Sequence, residues 1–233
     1  MIFIFLSSGL FLGWSLGAND AANIFGTAVS TKMVRFRVAA VLAGVFVILG
    51  AVIGGAGATH TLGKLGSVNA LPGAFMVAFS AGFTVFMMTR YKLPVSTSQA
   101  IVGSIIGWNL YAQVLTDSDS LTKIVSTWIL CPVLAAAIAM ILYIIIRWTK
   151  TKIPTNLFSE DYHTRIGLLL LGAFGAYSLG ANNIANVMGV FVNSLPIEPI
   201  TFFGLFTLSG AQILFLIGGI AIAAGIITYS HKV

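Results

Sequence analysis

The chain has 233 residues, of which 58% are hydrophobic and 8% charged, with a formal net charge of +6 and a mean hydropathy of +1.01. A soluble domain carries about 25% charged residues, so this composition excludes a solvated globular surface and describes an integral membrane protein. The basic residues cluster beside apolar runs, which makes the positive charge a topology signal and argues against a nucleic-acid partner.

The first apolar run is Ile2–Ser30. It lacks the basic leader of a signal peptide and continues through Val29 without a clear stop, so it predicts a retained helix. Six further runs follow at Phe36–Ala58, Ala70–Thr89, Leu93–Leu115, Ile124–Trp148, Ile166–Val192 and Ile200–Tyr229. Crossing a hydrocarbon core as helix takes roughly 20 residues. With the N-terminus outside and one crossing per run, the basic clusters at 32–37, 90–92 and 147–165 fall inside. Asp117, Asp119 and Glu198 then fall outside, as the positive-inside rule requires, with Lys64 as a mild exception. A re-entrant hairpin made from the third and fourth runs would preserve this parity. Cys131 is the lone cysteine, which excludes an intramolecular disulfide framework; beside Pro132 it reads as a packing residue.

Two of the runs carry the same polar insertion. SLGANDAAN occupies Ser15–Asn23 and SLGANNIAN occupies Ser178–Asn186, and eight of the twelve positions from Ser15–Gly26 match Ser178–Gly189. The copies lie in the first and sixth runs, so they run in opposite directions. Such inverted repeats mark many secondary transporters, with the site near the midplane where the repeats meet.

Asp20 is the only carboxylate well inside an apolar run. An ionised Asp at a helix centre costs about 2.5–3.5 kcal/mol on insertion scales, and its own run offers no Lys or Arg. A bound cation would supply the missing charge. Asn19 and Asn23 lie four apart, and Asn23 lies three after Asp20, so the three share a helix face. Carboxylate and amide oxygens suit a hard cation such as Na⁺. The second copy contributes Asn182, Asn183 and Asn186, with neutral Asn183 at the position of Asp20. The competing reading is that these polar residues cap a half-helix or join helices by hydrogen bonds.

A second constellation is LPVSTSQAIVG, Leu93–Gly103. Pro94 interrupts a helix, and Ser96-x-x-Gln99 matches a capping box. A helix beginning at Ser96 would expose free N–H groups that bind anions, with Ser96, Thr97, Ser98 and Gln99 adding polar donors. An ordinary helix start at the membrane surface fits the same stretch. Arg90 and Lys92 would attract an anion or sit at the interface. A pocket built from both constellations suits an oxyanion travelling with a cation, and the residues do not separate phosphate from sulfate.

An intramembrane enzyme is disfavoured. An aspartyl protease needs two membrane carboxylates, a metalloprotease an HExxH cluster, and a serine enzyme a base beside Ser96–Ser98. His60, His163 and His231 lie apart near run ends. A passive channel commonly uses ring symmetry of several chains, whereas internal inverted symmetry favours alternating access.

GANDAANIFGTAVSTK (Gly17–Lys32), PVSTSQAIVGSIIG (Pro94–Gly107) and GANNIANVMGVFV (Gly180–Val192) closely resemble the inorganic phosphate transporters of the PiT class. The resemblance implies secondary transport of inorganic phosphate coupled to Na⁺, with H⁺-coupled phosphate or sulfate transport as the alternative. It also implies an all-α polytopic membrane fold of two inverted repeats with discontinuous or re-entrant helices, a homodimer in the plasma membrane, and no cofactor beyond the coupling ion. Carried over by motif, Ser96, Thr97, Ser98 and Gln99 would bind phosphate. Asn19, Asp20, Asn23, Asn182, Asn183 and Asn186 would bind Na⁺. The expected organisation is a first repeat over 1–146 with a re-entrant element near 94–103, a polar loop over 147–165, and the start of a second repeat over 166–233. No second PVSTSQA-like element follows, so a longer parent chain is expected.

Overall fold

The structure is a computed structural model that describes residues 2–57, 68, 71–93, 95–152, 156–192, 194, 195, 197–202 and 206–232. Pro94, His60 and Lys64 of the sequence reading lie outside the described residues. The described helices are α1 (Ile2–Ser30), α2 (Phe36–Gly54), α3 (Leu71–Arg90), α4 (Thr97–Tyr111), α5 (Ser118–Lys152), α6 (Leu157–Val192) and α7 (Gly210–Thr228). A short 3₁₀ turn, Ser230–Lys232, closes the described chain. All but α4 are long and apolar enough to cross a membrane. The chain is a multi-pass helical membrane protein.

Three runs differ from their sequence reading. The run Ile200–Tyr229 divides into β1 (Ile200–Phe202) and β2 (Phe206–Leu208), paired antiparallel with Ile200 opposite Leu208, followed by α7. The boundary is set by Ser209. Its hydroxyl accepts from the Gln212 N–H at 3.3 Å, and the Gln212 side chain accepts from the Ser209 N–H at 2.9 Å. This reciprocal capping box satisfies two helix-start donors and fixes where α7 begins. The fourth run forms only the 15 residues of α4. The stretch 147–165, expected as a polar loop, is largely helix because α5 extends to Lys152 and α6 begins at Leu157. Lys150 pairs with Glu160 across the short connection. Arg165 pairs with Asp161 at 3.0 Å one turn apart.

Helix α5 stands out because Ser120 is its only buried residue. Cys131 is exposed on it, which corrects the reading of that thiol as a packing residue. Lipid solvates an apolar surface as well as a protein neighbour does, so this helix needs no core of its own. Pro132 leaves α5 unbroken, as membrane helices commonly tolerate. Asp117 caps α5 by accepting from the Ser120 N–H at 3.0 Å. The hydroxyl and backbone N–H of Ser120 hold the Asp117 carboxyl below its ordinary range.

Packing elsewhere is close. Helix α3 runs parallel to α1, with Phe5 against Phe75 at 6.2 Å between ring centroids, Phe11 against Phe79 at 6.2 Å and Trp14 against Phe86 at 6.1 Å. The Asn19 amide meets the Thr89 hydroxyl at 2.9 Å at the end of this series. Helix α4 then returns antiparallel, since Gly73 near the start of α3 lies against the Trp108 ring near the end of α4. The α3–α4 hairpin therefore has its tip at Tyr91–Ser96, level with Asn19. Helix α1 continues to Ser30, roughly 16 Å past that level at 1.5 Å per residue.

Two crossings bring backbones into contact through glycine. A Cβ on Gly17 of α1 would collide with the Ile222 carbonyl of α7, and one on Gly225 of α7 with the Trp14 carbonyl of α1. At the second crossing a Cβ on Gly180 of α6 would collide with the Val47 carbonyl of α2, and one on Gly50 of α2 with the Tyr177 carbonyl of α6. Leu12, Leu16, Val47, Ile184, Met188, Phe215 and Ile222 fill the core around these crossings.

Candidate functional site

The two polar constellations meet in one cavity of about 590 Å³, within the range of a small-molecule site. It is lined by Asn19, Asp20, Ala22, Asn23, Lys92, Val95, Ser96, Thr97, Ser98, Leu179 and Asn183. Helix α1 contributes one wall, the hairpin tip with the first turn of α4 a second, and α6 a third. Asn19, Asp20 and Asn23 reach it together because spacings of three and four bring residues to one face of α1.

The start of α4 is at Ser96 as the sequence predicts, with the hydroxyl half of the expected capping box formed. Ser96 has extended backbone angles, φ −83° and ψ 112°, and its hydroxyl accepts from the Gln99 N–H at 3.3 Å. That leaves the first turn of a 15-residue helix facing the cavity, with a partial positive charge from its aligned peptide dipoles. Thr97 is only 2% exposed, and its hydroxyl has no hydrogen-bond partner. A buried hydroxyl without a partner costs free energy, and this one belongs to a residue of the cavity wall, with its oxygen beneath the surface.

The amide of Asn186 ties the second motif to the hairpin tip. Its nitrogen donates to the Ser98 hydroxyl at 2.9 Å and to the Asn183 side-chain oxygen at 3.0 Å. Asn183 in turn donates to the Leu179 carbonyl at 3.2 Å. Asn186 is buried and reaches the cavity through these two partners.

Asp20 is the only acidic side chain among the described residues of the cavity wall. Among the described residues no Lys, Arg or His lies within ion-pair distance of it. Of the two orientations open to the neighbouring Asn19 amide, one fits its surroundings. In that one, the nitrogen donates to Asp20 Oδ1 at 3.1 Å and to the Val95 carbonyl at 3.2 Å, while the oxygen accepts from the Thr89 hydroxyl at 2.9 Å. The other would set the oxygens of Asn19, Asp20 and Val95 against one another and leave them without donors. The first matches every donor to an acceptor and is the orientation of this amide.

Two of the sequence-predicted residues go elsewhere. Gln99 lines a separate groove with Ser80, Thr84, Ser104 and Trp108, because its helical stripe runs through Gly103 and Gly107, away from the cavity. Asn182 lines an adjoining groove between α1 and α6 with Thr27 and Ser178, one residue round the helix from Asn183. Thr89 and the Val95 carbonyl were not singled out from sequence. A helix-terminal threonine and a backbone oxygen carry no sequence signal for such a role.

Residues 16–233 match the profile described as the phosphate transporter family. The chain belongs to the phosphate transporter family. Among its relatives, a protein named as a phosphate permease in Pyrococcus furiosus is 25% identical over all of this chain and 74% of its own length. Another so named, in Methanocaldococcus jannaschii, is 29% identical over 96% of this chain and 65% of its own length. This phosphate transporter family member thus spans about two thirds to three quarters of those relatives. A solved structure described as the sodium-dependent phosphate transporter superposes with a TM-score of 0.79 at 22% identity, covering 99% of this chain and 76% of that one. That likeness establishes a shared fold. Family and relatives are transporters and permeases, so the chain is a transporter and not an enzyme.

Proposed function

We propose that the chain carries inorganic phosphate across the membrane together with Na⁺, by alternating access, through the Asp20 cavity. The observation that carries this reading is the pairing of opposite chemistries in one cavity: the Asp20 carboxylate on one wall and the α4 N-terminus with the unpartnered Thr97 hydroxyl on another. An oxyanion suits the N–H groups of the first turn and the hydroxyls of Ser96, Thr97 and Ser98. A cation suits the oxygens of Asn19, Asp20 and Val95.

The Asn19 amide supplies a physical link between cation and site. Turned over, its oxygen would face Asp20 Oδ1 and the Val95 carbonyl and complete a cluster of three oxygens that repel one another. A hard cation among them removes the repulsion. Na⁺ binding would therefore select the second orientation, offset the Asp20 charge and lower the barrier to a dianion in the same cavity. Coupling requires that the ligands favour one global state over the other. Asn23 and Asn183 are further oxygen ligands on the cavity wall, with Asn186 and Asn182 supporting them from the second motif.

The reciprocal glycine crossings support an inverted duplication. Gly17 and Gly180 hold the same place in the repeated SLGAN motif, and each is crossed by the helix that follows the other copy. The hairpin tip level with Asn19 supports a re-entrant element, with phosphate held part-way through the membrane.

The test is uptake of radiolabelled phosphate into proteoliposomes carrying the full-length protein. An inward Na⁺ gradient should drive accumulation that K⁺ at the same pH does not, with sulfate failing to compete. Accumulation driven by a proton gradient and indifferent to Na⁺ would replace Na⁺ by H⁺ in this reading. No saturable phosphate uptake under either gradient would overturn it.

A further inference from the structure

Lys92 is the only cation among the described residues that line the Asp20 cavity. We infer that Lys92 is the docking charge for the oxyanion at the mouth of this cavity, on the side toward which α1 ends. The inference rests on the phosphate reading above and adds a residue and a face to it.

The backbone fixes where this charge sits. Helix α3 ends in a Schellman arrangement: the Lys92 N–H donates to the Thr89 carbonyl at 3.0 Å, and the Leu93 N–H to the Met88 carbonyl at 3.0 Å. Lys92 occupies the left-handed position of that motif, with φ 58°, where glycine is the ordinary occupant. The same cap that turns the chain toward α4 therefore pins the Lys92 Cα at the hairpin tip. Arg90, two residues earlier and also exposed, is not among the lining residues.

The geometry of the hairpin gives the side. Its base lies beside the start of α1, where Phe75 meets Phe5, and its tip lies level with Asn19. The tip therefore points toward the Ser30 end of α1, and Lys92, exposed there, sits where solvent from that end reaches the cavity. The groove between α1 and α6 that runs past Thr27 and Ala28 shares Asn23, Leu179 and Asn183 with the cavity and continues along α1 toward Ser30.

The charge at this place has a defined task. Asp20 repels an anion entering the cavity, and the α4 dipole acts only within its first turn. A cation at the rim, beside low-dielectric walls, focuses the field and raises the local concentration of anions. The attraction is twice as strong for a dianion as for a monoanion at equal distance. The same charge repels Na⁺, so its effect on the anion is read at saturating Na⁺.

The left-handed backbone provides the test. Lys92→Gly removes the charge and keeps the backbone conformation, so the cap and the hairpin remain; Lys92→Arg keeps the charge. The measurement is equilibrium binding of radiolabelled phosphate to the full-length protein in nanodiscs, at saturating Na⁺ and at two ionic strengths. Lys92→Gly should raise the phosphate Kd roughly three- to tenfold at low ionic strength and flatten its salt dependence. Lys92→Arg should stay within about twofold of wild type, and both variants should keep the wild-type thermal midpoint. A Lys92→Gly protein that binds phosphate as tightly as wild type at low ionic strength overturns the inference and leaves the phosphate reading standing. Wild-type protein without saturable phosphate binding overturns both.

Discussion

The Asn186 side-chain nitrogen donates to the Ser98 hydroxyl at 2.9 Å, joining the second SLGAN copy to the first turn of α4. Ser98 is therefore both a wall of the cavity and the point at which α6 grips the hairpin tip. Ser98→Ala removes a hydroxyl from the proposed phosphate site and leaves one Asn186 donor to Asn183 alone. A net hydrogen bond contributes about 0.5–1.5 kcal/mol, so the KM for phosphate should rise about three- to tenfold while Vmax changes little. An unchanged KM with a lowered thermal midpoint would assign Ser98 to joining helices only.

Asp20→Asn preserves the shape of the side chain and removes the only acidic group among the described residues of the cavity wall. Na⁺-stimulated accumulation should be lost, and the protein should remain monodisperse with a thermal midpoint at or above wild type, since no ion partner of Asp20 is left unpaired among the described residues. Asn19→Ala should weaken Na⁺ dependence without abolishing folding, because it removes the amide that joins Asp20 Oδ1 to the Val95 carbonyl and would turn its oxygen to a bound cation. Wild-type coupling in Asp20→Asn would remove Asp20 from the ion site.

Much of this arrangement was legible in the sequence. The run Ile2–Ser30 became α1 without change, and the spacings within GANDAAN put Asn19, Asp20 and Asn23 on one cavity wall. The Ser96 start of α4 followed from local chemistry alone. Other features depended on tertiary contacts or on patterns not weighed. The depth of the hairpin tip is set by aromatic contacts such as Phe5–Phe75 and by Asn19–Thr89, which no local pattern encodes. The divergence of Gln99 was readable from its i, i+4 partners Gly103 and Gly107, and that of Asn182 from Ser178. The split of Ile200–Tyr229 was likewise announced by Ser209-x-x-Gln212, a capping box hidden inside an apolar run.

Gly180→Ala should be strongly destabilising. Its Cβ would meet the Val47 carbonyl and the Ala51 amide nitrogen, backbone atoms that cannot swing aside, and overpacking of this kind costs about 1–3 kcal/mol or more. Gly103→Ala is the control, with nothing within 4 Å of its added methyl and a helix-propensity gain of about 0.5–1 kcal/mol. Thermal unfolding in detergent should drop several degrees for Gly180→Ala and hold or rise for Gly103→Ala. Equal midpoints in the two variants would mean that the α2–α6 crossing is looser than its backbone contacts require.

The hairpin makes a sided prediction that separates a re-entrant element from two full crossings. Leu93 is 50% exposed at the tip, level with Asn19 on α1, while the first turns of α6 lie beyond the Ser30 end, because Gly172, 15 residues after Leu157, packs against Phe25. In a Cys131→Ala background, which removes the lone native thiol, Leu93→Cys should react with a membrane-impermeant maleimide added from the side of those turns. The reaction should be slower than at a cysteine placed in those turns, because the tip lies part-way down the cavity, and saturating phosphate with Na⁺ should slow it further. Reaction from the opposite side would place the tip across the membrane and separate it from the α6 face that Asn186 occupies. Reaction from the expected side at a rate untouched by phosphate would keep the hairpin and move the anion away from Ser96–Ser98.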